Sequence, residues 1–239
     1  MFKYKSFNKT LLLVGLSLAS INNLQAQSYT HFTLWSRFLI SKQFNDKFTV
    51  SAEYLYRRQN NFLVSKLNIF ENPLLNCGRV TFSYRHKKWQ YSLSPSYWES
   101  NQLLGSEADF QRKVNPEIRL MAGVEYFDTK PKRQFQWRTQ YEYRIFTDRI
   151  VGRFRTRALE RFVLNDDNDF ILSAEPLFGV MPNYNPKLFE QLQISAIIQH
   201  QFTKHLESEL GYRYVFRQRR STPEIDHENA LVAGVFVRL

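Results

Sequence analysis

Residues 134–145 read QFQWRTQYEYRI, and residues 153–158 read RFRTRA. In both stretches a charged or amide side chain alternates with an aromatic, aliphatic or threonine side chain. A period of two is typical of a β-strand, because successive side chains of a strand point to opposite faces. These stretches therefore predict two neighbouring strands, each with one charged face and one largely apolar face.

The same alternation recurs along most of the chain, for example at 48–57, 117–127 and 206–217. No comparable stretch has a helical period. The predicted strands run to about 9 to 13 residues, whereas strands of soluble sheets usually have about 5 or 6. At about 3.3 Å per residue and a tilt near 45°, such strands suit the apolar band of about 25 Å that an outer-membrane barrel presents.

The composition of the two faces favours a membrane barrel over a soluble one. The polar face is built from Arg, Glu, Gln and Ser, which can pair across a polar lumen. The apolar face carries Tyr, Trp and Phe near strand ends, as in the aromatic girdles of membrane barrels. Alternation alone would also fit a soluble lipocalin-like barrel with its apolar face inward. We therefore predict an all-β fold, an antiparallel transmembrane β-barrel of the bacterial outer membrane.

The pattern predicts about twelve strands, and a ten-stranded barrel is the alternative. The predicted strands are 30–40, 48–57, 62–70, 79–86, 89–98, 117–127, 134–146, 150–163, 169–178, 189–200, 206–217 and 229–239. An even-stranded barrel places alternate connections on opposite sides of the membrane. The long connections at 99–116, 179–188 and 218–228 then share one side, and the short ones at 58–61, 87–88, 128–133 and 202–205 share the other.

The N-terminus has the pattern of a secretory signal peptide. Lys3, Lys5 and Lys9 precede an apolar stretch from 11 to 21, and Leu24-Gln25-Ala26 resembles a cleavage site. We expect residues 1–26 to be removed and residues 27–239 to form a single barrel domain, exported through the Sec pathway to the outer membrane.

Composition excludes several other classes of protein. The mean hydropathy of −0.46, with no long uncharged apolar run beyond the leader, excludes a bundle of transmembrane helices. The chain has 21 Phe, 13 Tyr and 4 Trp, which is unlike a disordered chain. The lone Cys77 excludes a disulfide scaffold.

The formal net charge of +11 raises the question of a polyanionic partner. On an exported barrel, attraction to the phosphates of lipopolysaccharide is a simpler interpretation than nucleic acid binding. The expected partners are therefore outer-membrane lipid and lipopolysaccharide, with no nucleic acid, and the pattern specifies no oligomeric state.

The last strand carries a signal of its own. Leu231, Ala233, Val235, Val237 and Leu239 are apolar at every second position up to the C-terminus. Such a stripe suits a closing strand that the barrel assembly machinery reads, so that machinery is a further expected partner.

Four short motifs resemble the bacterial family labelled domain of unknown function 2490. They are residues 141–145 (YEYRI), residues 153–157 (RFRTR), Trp35 in the first strand, and residues 209–212 (ELGY). The resemblance covers nearly all of the chain after the leader. It implies a small outer-membrane β-barrel and implies no activity.

A cluster of charged residues is predicted to face the lumen. It comprises Arg138, Glu142, Arg144, Arg153, Arg155, Arg157, Glu209 and Arg213. One interpretation is an anion-attracting constriction, because rings of Arg in a pore select anions. The other is a structural plug of Arg and Glu pairs, because side chains fill the interior of small barrels.

No catalytic or metal site is predicted. The five histidines form no HxH or HxxxH pair. Ser195 and His200 are the nearest candidates for a hydrolase pair, but an odd spacing of five residues puts them on opposite faces of a strand. We expect no cofactor and no enzymatic activity. The expected role of the protein is that of a narrow channel or a structural envelope component. The alternatives are a barrel-embedded enzyme acting on lipid or lipopolysaccharide, and a soluble periplasmic lipocalin-like binder.

Overall fold

The computed structural model describes residues 28–61, 63–65, 67–101, 103–104, 109, 113–180, 188–219 and 224–239. The predicted leader lies outside the described residues. Eleven strands form one closed barrel in which each strand pairs with its sequence neighbours. The strands are β1 (Ser28–Gln43), β2 (Phe48–Gln59), β3 (Asn72–His86), β4 (Trp89–Ser100), β5 (Asn115–Lys130), β6 (Arg133–Phe146), β7 (Ile150–Val163), β8 (Asn168–Gly179), β9 (Phe189–Thr203), β10 (Leu206–Gln218) and β11 (Ile225–Arg238).

The all-β barrel is confirmed, and it has eleven strands, close to the predicted number of about twelve. None of the described residues between 61 and 71 lies in a strand, and β2 is followed along the chain directly by β3. Its apolar run is interrupted by Asn61, Ser65 and Asn68, whose side chains accept hydrogen bonds from backbone N–H groups two residues further on. Such local bonds compete with pairing to a neighbouring strand.

Because the strand number is odd, the barrel closes through a parallel pair. β1 and β11 run side by side from Ser28↔Ile225 to Ser41↔Arg238, while every other pair is antiparallel. The first strand therefore begins at one end of the barrel and the last strand finishes at the other. An even-stranded barrel would have brought both to the same end.

The connections divide unequally between the two ends. At the end where β1 begins, here called the loop end, lie connections 60–71, 101–114, 147–149, 180–188 and 219–224. At the opposite turn end lie 44–47, 87–88, 131–132, 164–167 and 204–205. The predicted grouping of the long connections is confirmed, but the connection after β2 belongs with the long ones and not with the short ones.

The apolar face of each strand points outward. Phe38, Leu93, Ile198 and Leu210, from four different strands, are between 48% and 60% exposed. The inward positions carry buried carboxylates instead, at Glu53, Glu117, Glu125, Glu142, Glu175, Glu207, Glu209 and Glu228. Among the described residues, no helix has the length and hydropathy that a membrane crossing requires.

Two apolar clusters interrupt the charged interior. One joins Trp35 to Ile171, Ile197, Val215, Ala230 and Val232 along the wall from β8 to β1. The other joins Trp98 and Cys77 to Leu74, Leu75 and Leu103 near the loop end. Two of the four tryptophans thus lie inside the barrel, whereas Trp89 and Trp137 are about half exposed on the outside.

Candidate functional site: a charged lumen

The interior of the barrel holds a cavity of about 1040 Å³. Residues of all eleven strands line it, from Arg161 and Arg238 near the turn end to Arg149 and Arg219 near the loop end. Fifteen arginines and eight acidic residues are in the lining, and no lysine is among the described lining residues. The lumen wall therefore carries an excess of positive charge.

The middle of the lumen contains a continuous ion-pair network built on β5, β6, β7 and β8. Arg155 donates to both oxygens of Glu175, at 2.9 and 2.7 Å, and to Glu142 at 2.9 Å. Arg153 donates to the other oxygen of Glu142 at 2.8 Å, and Arg138 donates to Glu175 at 2.8 Å. A two-pronged contact between guanidinium and carboxylate is the strongest geometry available to such pairs.

A neighbouring carboxylate extends this network toward the loop end. Glu117 accepts hydrogen bonds from Arg144, the shortest at 2.9 Å, and from Arg119. Arg119 also lies 3.8 Å from Glu142, measured from nitrogen to oxygen. It stacks on the Trp98 ring, with its guanidinium carbon 3.6 Å from the ring centroid. Together these contacts hold five of the eight predicted residues in one network, namely Arg138, Glu142, Arg144, Arg153 and Arg155.

The other three predicted residues face the lumen but lie outside that network. Glu209 pairs with Arg37 at 3.2 Å, and Arg37 in turn reaches Glu53. Arg157 donates only a 3.3 Å hydrogen bond to Gln136 among the described residues. Arg213 donates at 3.3 Å to Gln193 and lies over the Trp35 ring. Five residues of the predicted cluster therefore form one ion-pair network, and the other three face the lumen with contacts of their own.

Residues that the prediction omitted complete the wall. Arg37, Arg57, Arg79 and Arg119 all line the cavity. Alternation places Arg57 on the same face of β2 as the inward Glu53, although the predicted cluster did not include it. The contact of Arg57 with the Trp35 ring at 3.4 Å depends on the pairing of β1 with β2. A local sequence pattern therefore does not predict this contact.

A second charged group sits at the loop end. Arg219 donates to both oxygens of Asp226 and of Asp109, at 2.9 to 3.3 Å. Asp226 also pairs with His31 at 2.8 Å. Burial alone would lower the pKa of the Arg219 guanidinium, but the hydrogen bonds and charges of Asp226 and Asp109 raise it. These contacts tie the connection after β4 to the connection after β10.

Ser195 and His200, the candidate hydrolase pair, do not contact each other. Ser195 lies in the cavity lining and shares a 2.7 Å hydrogen bond with Ser173. His200 instead contacts Asn168 at 3.0 Å and the Phe202 ring. Within the described ranges, no group of three metal-binding side chains comes together.

The family described as Protein of unknown function (DUF2490) matches residues 32–226. The chain belongs to this family. The predicted family resemblance is thereby confirmed, and it covers the barrel from β1 into β11. A search of curated proteins finds no match for this DUF2490 chain.

Among solved structures, the DUF2490 barrel is similar to the NanC porin described as "NanC porin structure in rhombohedral crystal form". The match has a TM-score of 0.53 and 13% sequence identity, and it covers 87% of this chain and 98% of the porin chain. At that identity the likeness shows a shared porin-like barrel fold.

Proposed function

We propose that the chain is an outer-membrane β-barrel acting as a narrow channel that favours anions. The observation that carries the proposal is the polarity of the wall, apolar outside and charged inside. A soluble lipocalin-like barrel would place its apolar side chains inward and its charges in water. Here the outward positions are exposed Phe, Leu, Ile and Tyr, while inward glutamates are buried. Strands of 12 to 16 residues also exceed the about 9 to 11 that a tilted crossing needs.

An aromatic rim supports the same placement. Phe48, Tyr84, Trp89 and Phe202 are exposed on the outer face near the turn end. Aromatic side chains at one level of a barrel are typical of the interface between lipid and water. The likeness to a porin barrel supports this assignment at the level of the fold.

The preference for anions follows from the charge of the lumen wall. Fifteen arginines and eight acidic residues line the cavity, and three further buried carboxylates, those of Glu142, Glu228 and Asp109, pair with these arginines. A positive excess of four remains along a cavity that is lined by residues near both ends of the barrel. Rings of Arg in a confined pore lower the energy of an anion and raise that of a cation. The ion-pair network keeps the passage narrow, so we expect low conductance.

We propose a non-enzymatic role. Ser195 and His200 point to opposite faces of β9, so a hydrolase acting on lipid or lipopolysaccharide lacks its most direct nucleophile and base. The proposed partners are membrane lipid and lipopolysaccharide around the wall, and the barrel assembly machinery at the last strand. Sec-dependent export through residues 1–26 remains part of the proposal.

The channel can be tested in planar bilayers under a gradient of KCl. We expect the parent barrel to show an anion-to-cation permeability ratio above one, and Arg157→Gln to lower that ratio severalfold, because Arg157 has no carboxylate partner among the described residues. Arg133→Gln removes the same charge from the outer face, where Arg133 pairs with Glu160, and should leave the ratio unchanged.

Two results would contradict this assignment. A preference for cations would exclude the anion channel. A parent barrel that inserts, as judged by heat-modifiable migration on gels, but carries no current would favour the structural envelope role, with the arginine network acting as a plug.

The role of the last strand gives a separate test. Val235 and Leu239 are exposed on the outer face of the C-terminal end. Deleting residues 235–239 should leave unassembled, protease-sensitive protein in the periplasm, since it removes the last three residues of the outward stripe and the end of the β1 and β10 pairings. The control Arg238→Ser keeps the stripe and should assemble. Normal insertion of the truncated chain would contradict the role of this strand in assembly.

A further inference from the structure

Arg57 has no hydrogen-bond acceptor among the residues that the structure describes. The guanidinium lies over the ring of Trp35, its register partner on β1, with its central carbon 3.4 Å from the ring centroid. No described residue accepts a hydrogen bond from Arg57 or forms an ion pair with it, although the side chain lines the cavity. A guanidinium has five N–H donors, and here the contact with Trp35 holds the guanidinium at the cavity wall without occupying those donors.

Arg213 approaches the same tryptophan ring from β10. Its guanidinium carbon lies 4.6 Å from the Trp35 centroid. Apart from the 3.3 Å bond to Gln193, it has no partner among the described residues, and its Nε is buried without an acceptor. Two guanidiniums thus lie over one aromatic ring, from strands on either side of β1.

The carboxylate beside this ring is already occupied. Glu228 is fully buried and accepts hydrogen bonds from Trp35 Nε1 at 2.6 Å and from Thr33 at 2.9 Å. Its second oxygen accepts a 3.1 Å bond from Arg217. The charge of Glu228 is therefore shared with a third arginine, so positive charge at the ring is left without a full counterion.

An apolar wall continues from the ring on its other side. Val232 is the register partner of Trp35 on β11. Ile197 and Ile171 are themselves paired and belong to the same buried cluster. All three line the cavity. The place where the arginines lack partners thus adjoins a surface that can take up apolar atoms.

We propose that Trp35, Arg57 and Arg213 form a binding subsite for a small organic acid, which places an oxyanion on the two guanidiniums and an apolar body against Trp35, Val232 and Ile197. The guanidinium fork matches the geometry of carboxylate oxygens. The inference rests on the proposed channel only in that the solute reaches the subsite through the lumen.

The test uses the full barrel in detergent, with calorimetric titration of sodium benzoate at constant ionic strength and of inorganic phosphate as a probe without an apolar body. We expect saturable binding of benzoate and weaker binding of phosphate. Arg57→Gln and Arg57→Lys should each weaken benzoate binding about tenfold or more, the loss expected for a charge-assisted hydrogen bond. Arg161→Gln removes the same charge from a lumen arginine that is paired with Asp169 and should change the affinity by less than about twofold.

The variant Arg57→Lys distinguishes benzoate binding at the subsite from anion preference of the channel. Arg57→Lys keeps the charge, so the anion preference in bilayers should persist while benzoate binding falls. Equal binding by Arg57→Lys, equal loss in Arg161→Gln, equal affinity for phosphate, or no saturable binding by the parent would each overturn the subsite. If the Arg57 variants do not assemble, Arg213→Gln carries the same expectation. Benzoate binding that depends on Arg57 in a barrel with no anion preference would leave the subsite standing and reject the channel.

Discussion

Glu142→Gln is expected to destabilise the barrel by about 3 to 5 kcal/mol, the cost of breaking a buried ion pair by removing one partner. Glu142 is fully buried and accepts hydrogen bonds from Arg153 and Arg155 on the next strand. A neutral amide would leave these guanidiniums facing each other with less compensation. Unfolding in urea from detergent micelles or liposomes measures the difference.

The matched control for this substitution is Glu160→Gln. Glu160 pairs with Arg133 on the outer face near the turn end, where an exposed ion pair contributes about 1 kcal/mol or less. We expect the control to unfold at nearly the parent's urea concentration. Equal effects at the two positions would show that the lumen network does not stabilise the barrel.

Phe154→Arg is expected to cost about 2 to 4 kcal/mol if the barrel is inserted in a bilayer, because Phe154 lies on the outward face in the middle part of β7. Its register partners Tyr141 and Phe178 belong to the same outward face. Assembly into outer membranes and urea unfolding in liposomes both report this cost.

The control uses the same substitution on the same face at another depth. Phe162 is the next-to-last residue of β7, near the turn end, where an arginine costs about 0 to 1 kcal/mol. A soluble barrel would tolerate both substitutions to a similar degree. Equal tolerance of Phe154→Arg and Phe162→Arg would therefore argue against a membrane-spanning wall.

The strands were accessible from the sequence because their signal is local. Alternation predicted β6 and β7 to within a residue at each end, as the bounds Arg133–Phe146 and Ile150–Val163 show. The same parity assigned Arg153, Arg155 and Arg157 to the inner wall, since each strand has only two faces.

The segment after β2 shows where a local pattern fails. Residues 62–70 are as apolar as a strand, yet Asn61, Ser65 and Asn68 bind the backbone within the segment itself. Whether such a run pairs with a neighbour or folds on itself depends on the free energy of both outcomes, and composition describes only one of them. This one segment changed the strand number and, with it, the closure of the barrel.

The sequence by itself determined that the chain forms long two-faced strands with arginine and glutamate on one face, because side-chain direction in a strand repeats every two residues. Only the tertiary structure decided that eleven strands close through a parallel β1–β11 pair, and which charges meet across the lumen. Arg155 donates hydrogen bonds to two carboxylates, whereas Arg57 lies over the ring of Trp35. The two arginines differ because their partners lie on neighbouring strands, and the register of each strand pair decides which side chains meet.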